Sequence, residues 1–211
     1  MLFILNSAGV PSIASFVQVI NNPTDQPPKG AITAPSGTMT ILAGQAVNFG
    51  ATAYDTDGSV SGYSWYFPNG NPVTRTVLNP GAVTFPTAGT STTSFTTADN
   101  VGLNDPSPPM LTIIVQPAVQ ITNPKAGSTV KGTVSISANV TGTVGGSNTF
   151  TFQVDNTVLS IQTVNGTSAS NSWNTKQTGT GKHTLTVSVT GSNITDPAGN
   201  TGSAREQVRV R

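Results

Sequence analysis

The fold is decided by one stretch of the chain, which reads Tyr54-Asp55-Thr56-Asp57-Gly58-Ser59-Val60-Ser61-Gly62-Tyr63-Ser64-Trp65-Tyr66-Phe67-Pro68-Asn69-Gly70. A turn rich in Asp and Gly is followed by a run in which Tyr63, Trp65 and Phe67 occupy alternate positions. Because successive side chains of a strand point to opposite faces of the sheet, these three rings share one face. The pattern predicts a strand from Val60 to Phe67 whose aromatic face lies in a hydrophobic core.

Short alternating runs lie on both sides of this strand. Such runs, separated by turns at regular intervals, are typical of a β-sandwich. The stretch 80–89 is rich in turn residues, and the run 92–97 is only a weak strand. The other predicted strands of the first half are 38–42, 45–54 and 110–115, and those of the second half are 133–140, 150–154, 158–164 and 182–189.

A turn followed by an alternating strand recurs three times, with the turns at 6–12, 99–105 and 196–202. The second and third copies each close a stretch long enough for a complete sandwich, whereas the first copy has almost nothing before it. We therefore predict that 1–20 is the last hairpin of a domain whose other strands are not in this chain. A hairpin of this size is marginally stable alone, so we expect it to dock on a neighbour.

The stretch around Trp65 resembles the PKD domain, an immunoglobulin-like sandwich common in extracellular proteins. The shared features are the DxDG turn at 55–58, the aromatic-Ser-Trp strand and the Gly-containing turn that follows. The segments 85–90 and 97–102 resemble the later strands of that family, so the resemblance covers about 27–115. The chain departs from the family at Tyr66, Pro68 and Asn69, where acidic residues are frequent.

The second half resembles the bacterial Ig-like repeats of surface adhesins and secreted multidomain proteins. This resemblance covers about 119–210. The two resemblances imply an all-β fold of tandem immunoglobulin-like β-sandwiches. With the proline-rich segment 21–28 and Pro117 as junctions, the predicted divisions are a terminal hairpin with the start of a linker at 1–22, a PKD-like sandwich at 23–117 and a bacterial Ig-like sandwich at 118–211. The motifs of the second resemblance are Pro124-Lys125-Ala126-Gly127-Ser128-Thr129-Val130, Val154-Asp155-Asn156, Trp173, Gly181-Lys182-His183-Thr184-Leu185 and Asp196-Pro197-Ala198-Gly199-Asn200-Thr201-Gly202.

Some PKD domains bind calcium between the preceding linker and the DxDG turn. The resemblance carries that site onto Asp55 and Asp57, with Asn22 or Asp25 from the linker as further ligands. The alternative is an Asx-turn, in which Asp55 bonds the backbone and Gly58 supplies a positive φ. No other cofactor is predicted.

The residue inventory argues against an enzyme. Cysteine is absent and His183 is the only histidine, so neither a thiol nucleophile nor a multi-histidine metal site can form. The eight acidic residues are scattered, mostly in turns, and do not suggest a glycosidase pair. Trp65 and Trp173 could stack on sugars if exposed, but in this fold a Trp at such a position is usually part of the core.

Charge is sparse and unevenly distributed. Charged residues make up 8% of the chain and the formal net charge is +1, which gives no electrostatic reason to expect nucleic-acid binding. Two basic residues face five acidic ones before Pro117, whereas seven face three after it. The difference is either chance variation among few charges or an acidic end and a basic end suited to contact between neighbours.

The leading functional hypothesis is a non-catalytic structural or adhesive module of a secreted or cell-surface prokaryotic protein. Its predicted partners are other copies of the same chain, neighbouring Ig-like domains or surface polysaccharide. One version is a filament subunit that assembles head to tail, with the hairpin at 1–20 adding strands to the next copy. The alternatives are an accessory region of a secreted hydrolase and a virion surface decoration. The apolar run at 1–5 is too short to span a membrane.

Overall fold

The computed structural model describes residues 7–10, 24–143, 145–192 and 200–211. The predicted hairpin at 1–20, except for 7–10, and Asn22 therefore lie outside the described residues. Within the described ranges the regular structure is β-strand, apart from a short 3₁₀ turn at Thr175–Gln177. The prediction of an all-β fold of tandem immunoglobulin-like sandwiches is confirmed. None of the described residues form a helix long and apolar enough to cross a membrane.

The first sandwich consists of two sheets with a core of aromatic and aliphatic side chains between them. The strands are β1 (Lys29–Ala34), β2 (Met39–Leu42), β3 (Ala46–Tyr54), β4 (Val60–Tyr66), β5 (Thr74–Arg75), β6 (Gly81–Thr84), β7 (Gly89–Asp99) and β8 (Met110–Gln116). One sheet has the order β1-β3-β6 and the other β2-β8-β7-β4-β5, with β2 parallel to β8. Trp65 and Phe67 are fully buried, as the alternation at 60–67 predicts, and Tyr63 is partly buried against the same core.

The second sandwich has the same plan. The strands are β9 (Ala118–Asn123), β10 (Thr129–Val130), β11 (Thr133–Thr141), β12 (Asn148–Val154), β13 (Thr157–Val164), β14 (Ser168–Asn174), β15 (Gly181–Gly191) and β16 (Thr201–Val210). The sheets have the orders β14-β11-β9 and β10-β16-β15-β12-β13, and β10 runs parallel to β16. A separate core surrounds Trp173 and the stacked pair Phe150 and Phe152.

A very short junction joins the two sandwiches. β8 ends at Gln116 and β9 begins at Ala118, so Pro117 alone lies between them. Beside it, the N–H of Ala88 donates to the carbonyl of Gly142 at 2.6 Å. Gly142 has a φ of +80°, and a Cβ at this position would lie 2.2 Å from the Cβ of Ala43. Glycine therefore permits both the backbone conformation and the close approach at this junction.

Several strands differ from the sequence prediction. β1 was not predicted, although it packs over β7 so closely that a Cβ on Gly30 would lie 2.9 Å from the ring of Phe95. β6 forms inside the stretch predicted to be turns, and pairs with β3. β7 is eleven residues long, whereas the sequence predicted only a weak strand of six. The prediction was too short because the buried positions of β7 include Ser91 and Thr93, whose hydroxyl groups hide the inward-facing pattern.

Candidate functional site

The predicted calcium residues lie at the end of the first sandwich that is remote from Pro117. Asp55 and Asp57 follow the last residue of β3, and Asp25 lies in the segment that leads into β1. The pairing of β4 with β7 brings a further carboxylate to this end, because Val60 is the register partner of Asp99. Four aspartates from three parts of the chain thus form one group, which we call the acidic end: Asp25, Asp55, Asp57 and Asp99.

The turn after β3 has the Asp55 hydrogen bonds of the predicted Asx-turn, but the positive φ predicted for Gly58 is wrong, because Gly58 is not among the glycines in the left-handed region. A Cβ at Gly58 would lie 2.8 Å from Oδ1 of Asn100, so glycine permits close packing at this position and not an unusual backbone conformation. Oδ1 of Asp55 accepts hydrogen bonds from the N–H groups of Asp57 and Gly58, each at 3.2 Å. The carboxylate of Asp57 is turned toward the linker, and its two oxygens accept from the N–H of Gln26 at 3.3 and 3.2 Å. Asp57 therefore ties the segment before β1 to the turn after β3.

Asp99 is the buried member of the acidic end, with only 2% of its surface exposed. Its Oδ1 accepts from the N–H groups that follow it in the next turn, at 2.9, 2.7 and 2.9 Å for Val101, Gly102 and Leu103. Burial opposes ionisation, but hydrogen bonds from these N–H groups hold the pKa of Asp99 below its usual value. Asp99 therefore favours the charged form.

Among the residues that the structure describes, no Lys or Arg forms a salt bridge with the carboxylates of the acidic end. Burial raises the pKa of Asp25, and the nearby charges of Asp99, Asp57 and Asp55 raise it further. The Oδ2 atoms of Asp25, Asp55 and Asp99 are all buried without a hydrogen-bond partner. Buried carboxylate oxygens that lack a donor are costly, so this end of the molecule is suited to a cation.

A calcium ion suits these donors because it takes oxygen ligands in flexible geometry. In the part of the chain that the structure describes, however, no group of three or more His, Cys, Asp or Glu side chains is placed so that it could hold a metal ion. Binding would therefore have to draw the orphaned oxygens closer together. Sequence reasoning placed Asp55, Asp57 and Asp25 here but missed Asp99, which is distant in sequence. The available signal was its place in the repeated turn at 99–105.

His183 belongs to a structural network. Its Nδ1 lies 2.6 Å from Oδ2 of Asp155 and its Nε2 lies 3.2 Å from the carbonyl of Gly179. Oδ1 of Asp155 accepts from the N–H of Thr184 at 2.8 Å. Burial works against the charge of Asp155, but the hydrogen bond from Thr184 and the hydrogen bond and charge of His183 lower its pKa overall. Both ring nitrogens face acceptors and the ring is buried against Trp173, so the imidazole is not placed to serve a substrate.

Both tryptophans lie in the cores. Trp65 is 0% exposed and Trp173 is 1% exposed. Trp65 packs on Phe95 at 4.6 Å and Phe67 at 5.5 Å between ring centroids, and its indole N–H donates to the carbonyl of Val77 at 3.1 Å. Neither ring is available to stack on a sugar.

Comparison with known proteins bears on the second half of the chain. The family described as a bacterial Ig domain matches residues 117–187. No curated protein matches the chain significantly in sequence. The match supports Ig-like repeats and a module of a non-catalytic kind.

The chain is also similar to several solved structures. The fibronectin(III)-like modules of Clostridium thermocellum CbhA are 18% identical, with 86% of this chain and 93% of that chain covered and a TM-score of 0.33. The PKD1 domain of Vibrio anguillarum Epp is 22% identical, with 43% and 98% covered and a TM-score of 0.34. A 1.5-MDa bacterial ice-binding adhesin is 16% identical, with 88% and 66% covered and a TM-score of 0.29.

Proposed function

We propose that the chain is a non-catalytic structural module of a secreted or cell-surface prokaryotic protein, in which two sandwiches serve as a stiff spacer. The observation that carries this proposal is the junction, where one proline separates the last strand of one sandwich from the first strand of the next. A proline fixes φ and removes a backbone donor, and one residue leaves little freedom between two packed bodies. The family match at 117–187 supports the surface location.

Contacts beside the junction favour the same role. The hydrogen bond from Ala88 to Gly142 links loops of the two sandwiches. A Cβ on Gly202 would lie 2.1 Å from the carbonyl oxygen of Pro117, so β16 also begins in close contact with the junction. The separate core of each sandwich, one on either side of Pro117, supports a division into modules at 23–117 and 118–211, which is part of the proposal.

Small-angle X-ray scattering tests the stiff-spacer role. A variant with Gly-Ser-Gly-Ser inserted after Pro117 gives the chain a flexible joint as a matched control. We expect the unmodified chain to give a single narrow distance distribution, and the inserted variant a broader one. Equal breadth for the two proteins, with both sandwiches folded, would refute the stiff spacer.

We further propose that copies of the chain assemble head to tail, with the hairpin at 1–20 adding strands to a neighbour. Strand addition depends on backbone N–H donors, so Val17→Pro should abolish such assembly while Val17→Ala should preserve it. Light scattering coupled to size exclusion measures the mass of both variants. An unchanged mass for Val17→Pro would exclude strand addition through this segment.

The accessory-region alternative loses its main support. It needs a row of exposed aromatic rings on one sheet, but Trp65 and Trp173 are buried, and the exposed rings of Tyr54 and Tyr66 lie on different sheets. The structural role is therefore the better proposal.

Calcium binding at the acidic end is a separate proposal, favoured by the three orphaned carboxylate oxygens. Asp55, Asp57 and Asp25 would supply ligands, and Asp99 would add a fourth carboxylate. A cation binding the folded state raises its melting temperature in proportion to the logarithm of free calcium. A melting temperature that is equal in millimolar calcium and in chelator would eliminate the site.

A further inference from the structure

The end of the second sandwich that is remote from Pro117 carries a basic cleft. The cleft has a volume of about 490 Å³ and includes Lys131, Lys176 and Arg211 in its lining, with no acidic side chain among the lining residues. Its position follows from the strands: Lys131 lies just before β11, and Lys176 lies in the 3₁₀ turn after β14. Strand β11 reaches the junction only at its other end, where Thr141 pairs with Ala118. The cleft is therefore at the far end of this sandwich.

Two further cations reinforce the positive charge of this end. Lys182 on β15 is the direct register partner of Arg209 on β16, and both side chains are exposed. Like charges directly opposite each other destabilise a sheet. Within the residues that the structure describes, no Lys or Arg forms a salt bridge with a carboxylate; the one contact of this kind joins His183 to Asp155. The cations of this end, which we call the basic end, therefore repel one another, and the described acidic side chain beside them, Asp155, is engaged by His183. They are Lys131, Lys176, Lys182, Arg209 and Arg211.

The acidic end of the first sandwich carries an excess of charge of the opposite sign. Asp99 is buried with one oxygen unpartnered, and Asp25 and Asp55 each have one buried oxygen without a hydrogen-bond partner. Asp57 is exposed, and its oxygens are engaged only by the backbone of Gln26. The carboxylates crowd together closely enough to oppose the ionisation of Asp25. Both ends of the tandem thus carry unbalanced charge, of opposite sign.

We propose that the acidic end of one copy docks on the basic cleft of a second copy. The two surfaces differ from each other and lie at the ends of the two sandwiches that are remote from Pro117, so the contact is heterologous. Such a contact does not close on itself and produces linear chains. The inference deepens the proposed structural role, because it names the surfaces through which the copies meet. The ammonium groups of Lys131 and Lys176, on flexible stems, would reach exposed Asp57 and the accessible parts of Asp25 and Asp55, whereas buried Asp99 contributes only its charge.

The expected interaction is weak and governed by salt. Exposed charges attract over about 30 Å at about 0.01 M ionic strength but over only about 3 Å at about 1 M. Analytical ultracentrifugation of the full chain, with chelator present, should show concentration-dependent association at low salt. The dissociation constant should rise by on the order of tenfold or more at high salt.

Charge reversal gives the decisive test. Lys131→Glu/Lys176→Glu should be monomeric at low salt, and so should Asp25→Lys/Asp57→Lys. An equimolar mixture of the two variants should associate again, because each altered end then meets an oppositely charged partner. Arg205→Glu, which lies on β16 away from the cleft, is the matched control and should associate like the unmodified chain. Circular dichroism melting establishes that each variant is folded.

The outcomes separate this inference from strand addition by the hairpin. Salt-dependent association that survives Val17→Pro supports the charged contact and counts against the hairpin. Association that is insensitive to salt and to charge reversal but lost in Val17→Pro overturns the charged contact and leaves strand addition standing. A chain that stays monomeric at low salt overturns the charged contact outright. Failure of the mixed variants to associate, with both folded, also overturns it.

Discussion

Replacing each tryptophan by phenylalanine should affect the two sandwiches unequally. The substitution removes roughly three heavy atoms from a fully buried ring, at about 0.8 kcal/mol each, or about 2 kcal/mol at either site. In Trp65→Phe the carbonyl of Val77 also loses the indole N–H that it accepts from at 3.1 Å. An orphaned carbonyl costs about 1–3 kcal/mol, and partial exposure at Val77 places this cost near the lower end. The indole nitrogen of Trp173 has no partner, so Trp173→Phe carries no such penalty.

Trp65→Phe should therefore destabilise its sandwich by about 1–2 kcal/mol more than Trp173→Phe destabilises the other. For domains of this size, 1 kcal/mol corresponds to about 4–8 °C in melting temperature. Differential scanning calorimetry measures both shifts, and the double variant should show the two costs adding to within about 0.5 kcal/mol because the sites lie in separate cores. An equal or larger loss in Trp173→Phe would refute the reasoning from the hydrogen bond.

Three other predictions concern single positions. Gly142→Ala should lower the free energy of unfolding by about 1–2 kcal/mol because of the φ of +80° at this position. The added Cβ should also push the sandwiches apart at Ala43. Calorimetry measures the first effect and small-angle scattering the second, and unchanged stability and dimensions would contradict the close junction. Because the pKa of Asp155 is lowered on folding, its contribution to stability is present above its unfolded pKa and is lost as the pH falls through the folded value. Asp155→Asn should therefore be less stable than the unmodified chain at neutral pH, and equally stable in acid. A gap in melting temperature that stays constant with pH would argue against the pairing of Asp155 with His183. Because the pKa of Asp25 is raised on folding, its charged form destabilises the fold above the folded pKa and has no effect below the unfolded pKa. With chelator present, Asp25→Asn should therefore be more stable than the unmodified chain at neutral pH and equally stable in acid. A lower melting temperature of the variant at neutral pH would count against crowding of the carboxylates.

The sequence predicts strands where apolar residues alternate, and misses them where polar residues face the core. The aromatic face of β4 was predictable because Trp65 and Phe67 stand two apart in a short run. Strand β14 was not predicted, because Ser and Asn fill most of it and Trp173 is its only fully buried side chain. Pairing with β11 supplies what the local pattern lacks.

The candidate site was predictable only in part, for a similar reason. Asp55 and Asp57 are neighbours in a recognisable turn, and Asp25 follows from the position of the linker. Asp99 reaches the same place only through the pairing of β4 with β7, which local sequence does not reveal. The basic cleft likewise combines cations from three separate segments, so the sequence indicated an excess of charge but not a surface.

In the five-stranded sheet of each sandwich, the strand that comes first in the chain pairs in parallel with the strand that comes last, which has a mechanical consequence. A pull along the tandem would load the bonds between β2 and β8 in shear, so that all of them must break together instead of one after another. β2 and β8 share four register pairs, whereas β10 and β16 share only two. Under tension the second sandwich should therefore yield first, at a lower force, and lengthen the molecule while the first still holds.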